Sequence, residues 1–158
     1  MIMKRIVLSL FVALIAGTCL AALPEVTLRD TNGKEINVAT LAQRHKPVII
    51  SFFATWCKPC MRELKAIDEL YPDWQDETGV EIYLVSIDQG QDTQKVKPLV
   101  DGNGWDFHVL LDPNEELKRA MNVQNVPHVF VLNSAGNIVY SHVSYNDGDE
   151  LELRKYLK

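Results

Sequence analysis

Val48-Ile49-Ile50-Ser51-Phe52-Phe53 is apolar at every position but one, and it runs almost directly into Trp56-Cys57-Lys58-Pro59-Cys60. Such a run reads as a strand buried on both faces, which requires a sheet covered by helices on each side. Met61, Leu64, Ile67 and Tyr71 follow at near-helical spacing and form one stripe. Pro72 is expected to limit that helix. Residues 81–87 and 107–111 read as further strands. Residues 91–100 read as a helix with Pro98 near its end, Asn103-Gly104 as the turn after it, and residues 114–121 as a short helix. Residues 129–132 and 138–141 read as strands joined by a hairpin connection. Residues 149–156 read as a terminal helix, with Leu151, Leu153 and Leu157 apolar. Near the start, residues 26–28 and 35–38 flank Asn32-Gly33, where both turn positions favour positive φ, and this predicts a tight hairpin. The order predicts one α/β domain: a central mixed β-sheet flanked by helices, with an N-terminal β-hairpin.

The first residues have another character. Lys4 and Arg5 precede an uncharged apolar stretch that turns to small residues at Ala16, Gly17 and Thr18. This is the order of a secretory signal peptide. The small side chains of Cys19 and Ala21 predict cleavage after Ala21, with Ala22 a near-equal candidate, and a domain over residues 22–158. Two other readings of the segment stay open. Residues 6–23 approach the roughly 20 residues of a membrane span, as an uncleaved anchor would. Cys19 could carry a lipid, although Thr18 stands where bacterial lipoprotein signals place Gly, Ala or Ser. Every reading exports the domain.

The 158 residues hold 16 Lys+Arg and 21 Asp+Glu. Residues 1–21 contain two of the positive charges and none of the negative ones. The exported part therefore carries 14 positive against 21 negative charges, a net of about −7. An acidic chain argues against a nucleic-acid partner and favours a basic patch on a protein partner. A composition 47% hydrophobic and 23% charged excludes a disordered or fibrous chain. Three cysteines are too few for a disulfide scaffold. Cys19 belongs to the export segment, which leaves Cys57 and Cys60.

Those two lie where a buried strand gives way to a helix. The first cysteine of the pair meets unpaired N–H groups and the helix macrodipole, both of which favour a thiolate. Lys58 adds positive charge, and Pro59 stiffens the loop and suits a first helical turn. Cys60, inside the helix, can attack a mixed disulfide formed at Cys57. Cys57 is thus the expected attacker and Cys60 the resolving thiol. A zinc site needs four ligands, and no pair among His45, His108, His128 and His142 has the usual gap of three to five residues. Haem attachment needs a histidine where Met61 stands. A purely structural disulfide closing so small a loop would stabilise little. No metal or cofactor is expected. Two alternatives stay open. One is a soft-metal (copper) carrier using Cys57, Cys60 and His128. The other is a thiol peroxidase, although peroxiredoxin-type sites place Thr three residues before the reactive cysteine, where Ala54 stands here, with Thr55 only two before.

Ser51-Phe52-Phe53-Ala54-Thr55-Trp56-Cys57-Lys58-Pro59-Cys60, with Val126-Pro127 downstream, resembles the thioredoxin superfamily. More closely it is similar to the TlpA/ResA-like exported thiol-disulfide oxidoreductases, over about residues 24–158. The resemblance implies a thioredoxin-like fold with an inserted helix–strand unit near residues 91–111. It implies reduction of disulfides in exported proteins of the bacterial periplasm, including the haem-site cysteines of apocytochrome c, with a membrane electron donor restoring the dithiol. A monomer is expected. Pro127 matches the family's cis-proline, which faces the dithiol and presents backbone to an extended substrate; the alternative is a plain proline at the start of a strand. Val126 would shape redox poise and substrate contact, or simply pack in the core. Trp56 matches a tryptophan shielding the dithiol, or is a buried aromatic. Glu63 matches an acidic residue that ResA-like members place near the active site, where it would accept the Cys60 proton; otherwise it is an ordinary acid in a first helical turn. Ser51 stands where classical thioredoxin carries a buried Asp, so that proton acceptor is absent. His128 would approach the dithiol and tune the thiolate, whereas a solvent-facing or hydrogen-bonded ring is the plainer reading. Asp112, Asn114, Glu115 and Glu116 read as a helix-capping cluster.

Overall fold

β1 (Thr27–Asp30) and β2 (Glu35–Asn37) pair antiparallel as the expected hairpin in a computed structural model that describes residues 22–158. The export segment and Cys19 lie outside the described residues. The hairpin turn is not the two-residue form read from Asn32-Gly33. Asp30 Oδ1 accepts the N–H groups of Asn32 (2.8 Å) and Lys34 (2.9 Å), and Gly33 alone in the turn takes a positive φ, 86°. An aspartate that bonds the backbone two residues on builds a longer loop.

A 3₁₀ segment, Val38–Gln43, is capped by Asn37 and leads to β3 (Val48–Phe53), buried at every residue. α1 (Lys58–Thr78) then runs straight through Pro72, contrary to the expected limit. A proline there forfeits a helical hydrogen bond, at a cost of about 3 kcal/mol. Tyr71 and Trp74 on either side are buried, and two such rings contribute about 1.5–3 kcal/mol each, enough to carry the helix past it. The helix closes at Gly79. After β4 (Glu81–Ser86), the helix expected over 91–100 is a 3₁₀ turn, Gly90–Lys95, followed by α2 (Val96–Asn103). Pro98 therefore sits in the first turn of α2, where a missing N–H costs least, rather than near a carboxyl-terminal helix end. β5 (His108–Leu111) precedes α3 (Glu116–Ala120). Asp112 accepts the N–H groups of Glu116 (2.7 Å) and Lys118 (2.9 Å), the capping role read from the acidic cluster. β6 (His128–Leu132), β7 (Ile138–Val143) and α4 (Glu150–Leu153) complete the chain, α4 passing into a 3₁₀ turn, Arg154–Tyr156. Leu153 and Leu157 are buried, and Leu151 is exposed.

Among the described residues the strands form one sheet, in the order β2-β1-β5-β4-β3-β6-β7. β3, β4 and β5 run parallel, and the outer strands on both sides are antiparallel, so the sheet is mixed as expected. β3 lies between β4 and β6. Its carboxyl end opens onto the edge of the parallel strands, where sites gather in open α/β sheets.

Candidate active site

β3 ends at Phe53, and Ala54-Thr55-Trp56 turn the chain into α1. That turn is pinned from the neighbouring strand. Asp88, buried just beyond β4, accepts the Thr55 N–H (2.9 Å), the Thr55 hydroxyl (2.6 Å) and the Ser86 hydroxyl (2.8 Å). Asp88 had escaped the sequence reading. An acid just past an apolar strand was its one signal, and its partner Thr55 lies 33 residues away.

Cys57 is the N-cap of α1, and its Sγ accepts the Cys60 N–H at 3.3 Å. The two are joined as a disulfide with Cα atoms 5.3 Å apart. Lys58 and Pro59 occupy the exposed first turn. Cys57 keeps 5% of its surface exposed and Cys60 1%, so the resolving position is the more closed of the two.

β6 runs antiparallel to β3 with His128 opposite Phe52, which sets Pro127 beside the carboxyl end of β3. The Val126–Pro127 bond is cis, as the resemblance implies. Pro127 is buried and Val126 packs part-buried against the core. Trp56 is 65% exposed, so the buried-aromatic reading does not hold. Trp56, Val126, Ile87, Gln89 and Gln124 line a groove of about 420 Å³.

Glu63 is not a solvated helix acid. It lies on the buried face of α1 and has no exposed surface. His142 Nε2 is 2.6 Å from Glu63 Oε1, and Oε2 has no hydrogen-bond partner in the protein. Burial pushes the Glu63 carboxyl above its ordinary range; the His142 hydrogen bond opposes this, and repulsion from Asp149 and Glu150 adds to it. The sequence reading reached His142 only as a nominal zinc ligand, because 79 residues separate it from Glu63.

His128 is buried, not solvent-facing. Its Nδ1 has no partner in the protein, and its ring stacks on Phe130 at 4.3 Å. Burial, then the nearby His142, lowers its pKa below the ordinary value, which favours the neutral ring. Ser51 is fully buried with its Oγ unpartnered, so β3 offers no acid beneath the dithiol. Among the described residues, no group of three or more His, Cys, Asp or Glu could hold a metal ion, and no helix is long and apolar enough to cross a membrane.

The AhpC/TSA family model matches residues 20–141. This chain belongs to the AhpC/TSA family. Within it, the chain is 32% identical over 135 residues to the thiol-disulfide oxidoreductase ResA of Bacillus anthracis, covering 85% of this chain and 74% of that one. The ResA of Bacillus subtilis is 33% identical over 116 residues, 73% of this chain and 62% of that one. A thioredoxin-like protein of Porphyromonas gingivalis, solved in solution, is 58% identical with a TM-score of 0.77, over 87% of this chain and 90% of that one. StoA of Bacillus subtilis shares the fold at 22% identity and a TM-score of 0.67, over 85% of this chain and all 100% of its own. This AhpC/TSA member is a thiol-disulfide oxidoreductase of thioredoxin-like fold, and its Cys57–Cys60 disulfide fits the redox site of one.

Proposed function

We propose that the protein is a periplasmic reductant of disulfides in other exported proteins, exported by a signal cleaved after Ala21. The observation that carries the exchange chemistry, with Cys57 as its attacking thiol, is the placement of Cys57 as the N-cap of α1, where a sulfur that loses its proton is stabilised by helix N–H groups and the macrodipole. In the reduced protein the Cys57 thiolate attacks a partner disulfide. The partner S–S bond breaks, one partner sulfur leaves as thiolate, and Cys57 holds the other. Cys60 then gives its proton to Glu63, and its sulfur attacks Cys57 Sγ. The mixed disulfide breaks, the second partner sulfur leaves, and Cys57–Cys60 remains oxidised. Two electrons have passed to the partner, and a membrane electron donor returns them. The Cys60 proton has a nearby acceptor in Glu63, three residues along the same buried helix face.

Trp56, Val126 and Pro127 form the contact for an extended partner segment, with the groove beside them. Lys58 and Pro59 tune the thiolate from the first turn of α1. His128 lies at the start of β6 next to Pro127, where its buried ring, driven toward the neutral form, tunes the dithiol. Apocytochrome c haem-site cysteines suit such a reductant, since they must be thiols before haem attaches. The domain works as a monomer.

Thiol peroxidase chemistry is disfavoured by the turn itself. Ala54 brings no hydroxyl, and the Thr55 hydroxyl is committed to Asp88. Trapping tests the proposal. A Cys60→Ser variant should hold partner proteins as mixed disulfides on Cys57, identified by mass spectrometry. Partners captured by Cys57→Ser and not by Cys60→Ser would reverse the two roles. Tight Cu(I) binding by the reduced protein, without insulin reduction, would favour a metal carrier instead.

A further inference from the structure

The two oxygens of Glu63 have different surroundings. Oε1 meets His142 Nε2 at 2.6 Å, whereas Oε2 is buried with no partner in the protein. Ser51 on β3, Val129 on β6 and His142 on β7 stand in one cross-strand row. The row begins at a serine with no acid to offer and ends at a histidine bonded to the acid on α1. A carboxylate sealed from water tends to protonate, because desolvation disfavours its charged form. A protonated Glu63 could take nothing from Cys60. His142, whose side chain is 13% exposed, supplies the hydrogen bond that opposes this.

We propose that His142 is the positioning residue that keeps Glu63 ionised in its closed site and leaves Oε2 free for the Cys60 proton. The proposal rests on Glu63 being the acceptor. In the resolving step the Cys60 proton passes to Glu63 Oε2, and the Cys60 sulfur pair forms the bond to Cys57 Sγ. The mixed disulfide breaks and its electron pair leaves with the partner sulfur. His142 stays bonded to Oε1 throughout. The other ionisable groups facing the pair come from four places. Asp149 and Glu150, at the start of α4, repel the Glu63 charge. His128 on β6 feels His142 directly. Tyr140 on β7 meets the His142 ring edge-on at 5.8 Å. On α1 the charged residue next to Glu63 in sequence is Arg62, whose guanidinium is directed to Asp147 at 3.4 Å and lies over the Tyr145 ring.

Stopped-flow oxidation of the reduced protein by dithiobis-nitrobenzoate tests this. One thionitrobenzoate leaves as Cys57 is modified, and a second as Cys60 displaces the adduct, so the second release reads resolution alone. Its rate should fall on the acid side as Glu63 protonates. His142→Phe should move that acid limb to higher pH by about one unit, a ~10-fold slower release at a pH on the limb. His142→Gln, whose amide can donate to Oε1, should restore the original limb. If the Phe variant does not fold, His142→Asn, too short to reach Oε1, takes its place. An unmoved limb in the Phe or Asn variant overturns the proposal, as does equal slowing by it and His142→Gln at every pH. Glu63→Gln separates the two layers. If it leaves rate and limb intact, Glu63 is not the acceptor and the underlying reading fails. If it abolishes the limb while the His142 variants change nothing, only the role of His142 falls.

Discussion

Two glutamates of this domain are largely withdrawn from water, and their surroundings drive them in opposite directions. Glu63 is fully buried with one hydrogen-bonded oxygen, so desolvation dominates and raises its pKa. Glu81, at the start of β4, receives Arg44 Nε and Nη2, each at 2.7 Å, and Lys46 Nζ at 3.0 Å. The Arg44 hydrogen bonds lead, and the carboxyl is held down at about 2 against an ordinary 4.5. A depressed carboxylate stabilises the fold fully above its unfolded pKa. That stability is lost as pH falls from about 4.5 to about 2. Arg44 and Lys46 are more than 40% exposed, so screening reduces the pair to on the order of 2 kcal/mol. Glu81→Gln should therefore unfold about 2 kcal/mol more easily in urea at pH 7, with the gap to the native chain closing near pH 2. A gap that is constant across that range would remove the ion pair as its cause.

At the level of elements, the turn between β3 and α1 is what aims the dithiol, and a single carboxylate just beyond the neighbouring strand fixes it. Asp88→Ala would leave the Thr55 N–H and two hydroxyls without their acceptor. Such losses cost about 1–3 kcal/mol each when buried, so a destabilisation of at least ~2 kcal/mol is expected. Insulin reduction should slow several-fold with far-UV circular dichroism unchanged; unaltered turnover would mean the turn holds itself. The strand, the helix and the two cysteines between them were legible in the sequence, since apolar runs and spacing are local signals. Pro72 misled because two buried aromatics outweigh one lost hydrogen bond. The Asn32-Gly33 turn misled because Asp30 competes for the backbone. Asp88 and His142 were not legible as partners, because sheet pairing and the packing of α1 on the sheet bring them to Thr55 and Glu63 across 33 and 79 residues.

Across the whole molecule, the sheet order explains why one end carries the chemistry. β3 is interior, between β4 and β6; its carboxyl end delivers Cys57 to the cap of the longest helix among the described residues, and β6 brings cis Pro127 alongside. The polar groups of the site come from α1, β3, β6 and β7, so its acid–base partners are set by tertiary structure more than by the Cys-x-x-Cys segment. Residues 22–158 carry a net charge of about −7, a field that attracts basic surfaces. The direction of electron flow follows from how strongly the thiolate form is stabilised relative to the disulfide. The most direct measurement is the reduction potential of the Cys57–Cys60 couple, equilibrated against glutathione buffers. A reductant requires a value at or below roughly −200 mV; a value near about −120 mV, the range of DsbA, would make the protein an oxidant and contradict its role as a reductant.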